Sequence, residues 1–133
     1  MILSPIDSAH LIWPHLEASL ERVIQKTGER WTPPFVLRQI QDKKAGLFRF
    51  HEGGKHLAYM VVERLTGYET VLNVWILEGS PGLSKAGEMV GLIDALAKDV
   101  GASHWKFTGR KGWGRLLRKY CNPVATVYER KTR

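Results

Sequence analysis

The tract Glu78-Gly79-Ser80-Pro81-Gly82-Leu83-Ser84-Lys85-Ala86-Gly87 joins an apolar run to an amphipathic helical pattern. Such a tract can hold an anionic cofactor. Glycine lets the backbone approach a ligand closely, and the first turn of a helix leaves N–H groups without partners. The same glycines equally suit a chain that only turns and packs tightly. Two carboxylates are candidates for moving a proton: Glu63 inside an apolar strand pattern, and Glu78 at the end of the next one. Glu63, next to Arg64, also fits a strand reaching solvent, and Glu78 also fits a cap on the loop. A third set is cationic. Lys111, Arg115, Arg118 and Lys119 recur three to four residues apart on one helical pattern with Trp113 among them, a face suited to nucleic-acid or cofactor phosphates. A solvated surface and a core tryptophan account for the same residues. The five histidines are scattered with no metal-ligand spacing, so no metal is expected.

The elements that must position these groups follow from periodicity and stop signals. Pro14 suits a first helical turn, and Leu16, Leu20, Val23, Ile24 and Thr27 keep one face until Gly28 ends the helix. Thr32-Pro33-Pro34 reads as an N-cap and first turn, followed by Phe35, Val36, Leu37 and Ile40 on a shorter second helix that Lys43, Lys44 and Gly46 close. Leu47, Phe48 and Phe50 open a strand, and His51 to Lys55 turns it through two glycines. Leu57 to Leu65 and Val71 to Leu77, joined by Thr66-Gly67-Tyr68, are apolar on both faces apart from Asn73, which a bulged or splayed position would explain. These three strands form an antiparallel meander. Met89, Leu92, Ile93, Leu96 and Val100 carry the next helix to Gly101, and Ser103 to Thr108 is a strand that must run parallel to its predecessor. Arg110 to Tyr120 is a last helix, and Val124 to Tyr128 a closing strand.

Composition bounds the rest. The 133 residues fit one domain, 1–133, with a net charge of +7 that makes anionic partners more plausible. Most of that charge lies after Trp105. Cys121 is the only cysteine, which rules out an internal disulfide and suits a reducing compartment such as the cytoplasm. No apolar run is long enough to cross a bilayer, and Met1 to His10, without a basic residue, is not a targeting segment.

This order of elements resembles the GNAT superfamily of N-acetyltransferases, an α+β fold with a central mixed, mostly antiparallel sheet and flanking helices. The likeness runs from about Pro14 to Lys131. Trp31-Thr32, the tract Val71 to Gly79, and Gly109 to Leu117 are similar to small GNAT-like proteins of tailed phages and prophages. The resemblance implies acetyl-CoA or another acyl-CoA as cofactor, with Leu77, Gly79, Ser80, Gly82, Ser84, Lys85, Ala86 and Gly87 as its contacts, although the glycines do not keep the superfamily's usual spacing. It implies an amine acceptor, with Glu63 or Glu78 taking the amine proton. It also implies a tyrosine near the last helix to protonate the departing thiolate, for which Tyr120 is the candidate. The alternative is a phage or prophage protein without catalytic activity, in host cytoplasm or virion, using Lys111, Arg115, Arg118 and Lys119 on nucleic acid or a partner protein.

Overall fold

The computed structural model describes residues 1–108, 111–124 and 128–132. In chain order it places β1 (Ile2–Pro5), a 3-10 turn (Ala9–Ile12) running into α1 (Trp13–Thr27), α2 (Pro33–Gln41), β2 (Gly46–Glu52), β3 (Lys55–Thr66) and β4 (Thr70–Gly79). A second 3-10 turn (Leu83–Lys85), α3 (Ala86–Asp99), β5 (His104–Phe107) and α4 (Lys111–Leu117) follow. Among the described residues five strands lie in sequence order in one sheet, antiparallel from β1 to β4 and parallel between β4 and β5. The meander and the parallel pair match the periodicity.

Three expectations need correction. The N-terminal segment is a strand, pairing Ile2 with His51 through Pro5 with Phe48, so the antiparallel part has four strands. Four residues with Pro5 at the end carry too little pattern to be recognised from sequence. The last helix stops at Leu117, with Arg118–Tyr120 in the turn beyond it. Asn73 is not the bulge. It pairs regularly with Glu63 across β3 and β4, and its side-chain N–H donates to Glu63 Oε1 at 3.1 Å, which satisfies its polar group within the sheet. The centre of the closing strand expected over Val124–Tyr128, residues 125–127, lies outside the described residues, as does Arg110 at the expected start of the last helix.

Local chemistry explains the helices and turns. Thr32 caps α2 by accepting the Phe35 N–H, and Pro33 and Pro34 occupy the turn where a missing N–H costs nothing. Gly28, at φ 70°, ends α1 with its N–H on the Ile24 carbonyl. Gly53 and Gly54 both take positive φ in the two-residue β2–β3 turn, a connection that matches the twist of the strands.

The sheet is covered on both faces. Leu16 and Leu20 of α1 and Val36 of α2 pack on Leu47, Tyr59, Val61 and Ile76. Met89 and Ile93 of α3 and Trp113 of α4 pack on Phe50, Met60, Val62, Leu72, Val74 and Leu77. The functional geometry comes from a break in this regular sheet. Val61 pairs with Ile76 but Val62 pairs with Val74, which leaves Trp75 as the extra residue of a bulge in β4. Beside it, among the described residues, β5 pairs with Val71 to Val74 and no further. From Trp75 to Gly79, then, β4 is paired with β3 on one side and leaves β5 on the other.

Gly79 closes β4 against β3 at φ 151°, where a Cβ would collide with the Leu57 carbonyl oxygen and lie 2.8 Å from Ala58. Gly79→Ala is therefore expected to cost at least about 2 kcal/mol, from the strained backbone and the clash together. Urea unfolding measures it; a loss under about 0.5 kcal/mol would contradict this packing.

Candidate active site

Two cavities meet at the end of β4. The first lies in the gap that β5 leaves, between Ile76, Leu77 and Glu78 on β4, Phe107 and Thr108 after β5, Trp31 and Trp75, and Trp113 of α4. It is narrow, with about 20 Å³ open to the centre of a water molecule, enough for about one. Trp113, 3% exposed, belongs to the core and stops up this gap. The indole N–H groups of both Trp31 and Trp113 are buried without acceptors.

The second cavity is wide, about 540 Å³, and opens between the start of α1, the β2–β3 hairpin and the loop after β4. Glu78 lines both cavities, while Gly79, Ser80, Pro81 and Lys85 line only the second.

A cross-strand row runs through the sheet to Glu78, the member of it that lines the second cavity. Register places Arg49 of β2 opposite Tyr59 of β3, and Tyr59 opposite Glu78 of β4. Helix α1 lies over this row and supplies His15, Ser19 and Arg22, spaced i, i+4 and i+7 and so on one side of the helix. Ser19 Oγ and Arg22 Nε (2.8 Å) donate to the two oxygens of Glu78, and His15 Nδ1 lies 2.6 Å from the Tyr59 hydroxyl. The His56 ring stacks at a tilt on Tyr59 with centroids 4.3 Å apart.

This setting fixes the charges. Burial pushes the Glu78 carboxyl up, but the hydrogen bonds from Arg22 and Ser19, with the charges of Arg22 and Lys26, outweigh it and hold the group below its ordinary value. Glu78 is thus an anchored carboxylate. Burial, helped by the charge of Arg49, lowers His56, so its imidazole stays neutral at pH 7. Burial also raises Tyr59, which stays a phenol.

The residues expected at the cofactor loop stand together. Gly82, at φ 88°, leads into the turn Leu83–Lys85 and α3. Lys85 N–H bonds the Gly82 carbonyl and Ala86 N–H the Leu83 carbonyl, whereas among the described residues the N–H groups of Ser80, Gly82, Leu83 and Ser84 donate to no backbone carbonyl. The ammonium of Lys85 is engaged with Glu52, at 2.8 and 3.0 Å. A Cβ at Gly87 would meet the Tyr120 hydroxyl at 3.0 Å, so Tyr120, 48% exposed, sits at the start of α3 beside this loop. Glu63 is not brought there. It pairs with Asn73, five residues before Glu78 on β4, or roughly 17 Å away along the strand. Arg115, Arg118 and Lys119 are exposed near the end of α4, and the Lys111 side chain lies outside the described residues.

Sequence reasoning missed His15, Ser19, Arg22, His56 and Tyr59. The α1 residues had a signal: a polar i, i+4, i+7 series at the margin of the apolar stripe. His56 and Tyr59 had none, because only the strand register brings them to Glu78.

No protein-family model matches the chain, and no curated protein does either. Solved structures do match. A predicted acetyltransferase with acetyl-CoA from Clostridium acetobutylicum superposes with a TM-score of 0.71 at 10% identity, over 98% of this chain and 95% of that one. The chain carries the GNAT fold. A ribosomal-protein-alanine N-acetyltransferase from Brucella melitensis gives 0.69 at 15% identity, over 99% and 97% of the two chains. An aminoglycoside acetyltransferase from an uncultured soil metagenomic sample, in complex with sisomicin, gives 0.66 at 10%, over 98% and 96%. Among the described residues no cluster of His, Cys, Asp and Glu could hold a metal, and no helix is long and apolar enough to cross a membrane.

Glu78 and His56 both have folded-state values below their ordinary 4.5 and 6.5, so each contributes stability that is present above that value and lost as pH falls toward the folded one. Glu78→Gln is expected to be less stable than the parent by about 1–2 kcal/mol at pH 7, the worth of charge-assisted hydrogen bonds, with the gap closing below pH 4.5. Urea titrations at a series of pH values test this. A gap that does not change with pH would show that the carboxylate charge contributes nothing.

Proposed function

We propose that this protein is an N-acyltransferase that takes an acyl group from an acyl-CoA and passes it to an amine held in the wide cavity. The observation that carries this reading is the meeting of two cavities at Glu78, on the stretch of β4 that β5 leaves unpaired. A strand edge of this kind offers N–H and C=O groups at strand spacing to an extended, amide-bearing arm. The unpaired amides of Ser80, Gly82, Leu83 and Ser84, next to the start of α3, suit phosphates.

An acyl-CoA bound there supplies an activated thioester. The chain's own residues do the rest. Edge N–H groups of β4 face the gap and stabilise the negative charge that develops on the acyl oxygen. Glu78, held ionised by Arg22 and Ser19, draws an ammonium group to the junction. Glu78 is also the carboxylate placed to take the amine proton, directly or through a water, since each of its oxygens accepts one hydrogen bond and can accept another. Tyr120 beside Gly87 is the phenol available to the departing sulfur. Glu63, bonded to Asn73 away from the junction, takes no part.

The gap must widen for this to work, and Trp113 is the side chain in the way. Acetyl-CoA is expected to bind in calorimetry and to change the tryptophan fluorescence at the same midpoint, because Trp31, Trp75 and Trp113 line the gap. No binding at millimolar acetyl-CoA would remove the transferase reading.

In that event the second reading stands: a GNAT-fold protein without chemistry, of phage or prophage type, whose gap Trp113 keeps shut and whose exposed Arg115, Arg118 and Lys119 meet phosphate. It predicts DNA binding that weakens as salt rises and when Arg115 and Arg118 become Ala.

A further inference from the structure

The wide cavity is walled by more hydrogen-bond donors than its own acceptors can use. Its two acids are already occupied: Glu78 by Arg22 and Ser19, and Glu52 by Lys85 and, at 3.8 Å, by the amino group of Met1. Lys55, which lines the same cavity, makes no ion pair or hydrogen bond among the described residues.

His56 adds a neutral donor, and its tautomer follows from the geometry. His56 Nδ1 is shut off from solvent with no partner, and a proton there would be a buried, unpaired donor, so the neutral ring carries its proton on Nε2. His56 Nε2 has no partner, yet it is not among the buried unpaired atoms, which leaves it open to the cavity that His56 lines. His56 therefore turns an N–H group to this space when it is empty, alongside the Lys55 ammonium.

Donors in excess and one unpaired cation call for an anion. Resting on the acyl-transfer reading for the neighbouring gap, we infer that the wide cavity takes an amine substrate that also carries an anionic group, a phosphate or a carboxylate. That anion sits on Lys55 and the His56 Nε2–H while its amine reaches toward Glu78. The two ends of such a molecule match the two kinds of charge on the cavity wall. A purely cationic polyamine would place a positive end against Lys55.

The inference is tested by calorimetry on the full chain without cofactor, using matched probes: O-phosphoethanolamine against ethanolamine, and β-alanine against its amide. At least one anionic probe is expected to bind tenfold or more tightly than its neutral-ended partner, and the stronger of the two identifies phosphate or carboxylate. Lys55→Met, at an exposed hairpin position, is expected to remove most of that preference, and Arg115→Met on α4 to leave it. Coenzyme A at saturation is expected to leave probe binding within about twofold. Equal binding within both pairs, or a preference that survives Lys55→Met, overturns the inference. Displacement of the probe by coenzyme A also overturns it, because the anion seat would then belong to the cofactor. If acetyl-CoA does not bind but the preference and its Lys55 dependence hold, acyl transfer falls and the anion site stands.

Discussion

The parting of β4 from β5 is the constraint on which the rest of this structure depends. A parallel neighbour normally satisfies a strand's second edge along its whole length, and here, among the described residues, it does so for only four. The Trp75 bulge marks the same place. By setting one extra residue on β4 it turns Trp75 and Ile76 toward the α1 face while Leu77 returns to the other core. The freed backbone cannot be left buried and unpaired without cost, so it must face solvent, a ligand or a movable cover. Trp113, seated over the gap from α4, is that cover in this structure. Its own unpaired indole N–H makes it an imperfect one.

Glu78 ties the two halves of the site together. Its side chain, 12% exposed, would be an expensive charge to hold in that position without Arg22 and Ser19. The pairing does two things at once: it docks α1 onto the end of β4, and it keeps a negative charge at the wall between the cavities. His15 on Tyr59 repeats the docking one turn earlier. On the α1 side the wide cavity is thus held by these contacts, and at its hairpin rim Lys55 stands exposed.

The fold was legible in the sequence because its long elements carry strong periods. Leu16 and Leu20, Val36, the doubly apolar β3 and β4, and Met89 with Ile93 all fall in the core that their spacing demands. The glycine-rich tract was legible as a turn from a strand into a helix, and Glu78 stands at the strand end before it. The rest depends on contacts between residues far apart in the chain. Strand register, which no local pattern states, sets Arg49, Tyr59 and Glu78 in one row, and helix docking adds Ser19 at a separation of 59 residues. Isolated polar residues in apolar strands mislead in the same way. Glu63 and Asn73 looked chemically interesting one at a time, and together they form an internal hydrogen bond.

Amide hydrogen exchange along β4 tests the central claim most directly. Val71–Val74, paired on both edges, should be protected throughout. Those amides of 75–79 that point away from β3 should exchange fast in the free protein and become protected when coenzyme A is added to saturation. Uniform protection of 71–79 in the free protein, or fast exchange at 75–79 that coenzyme A leaves unchanged, would contradict the account.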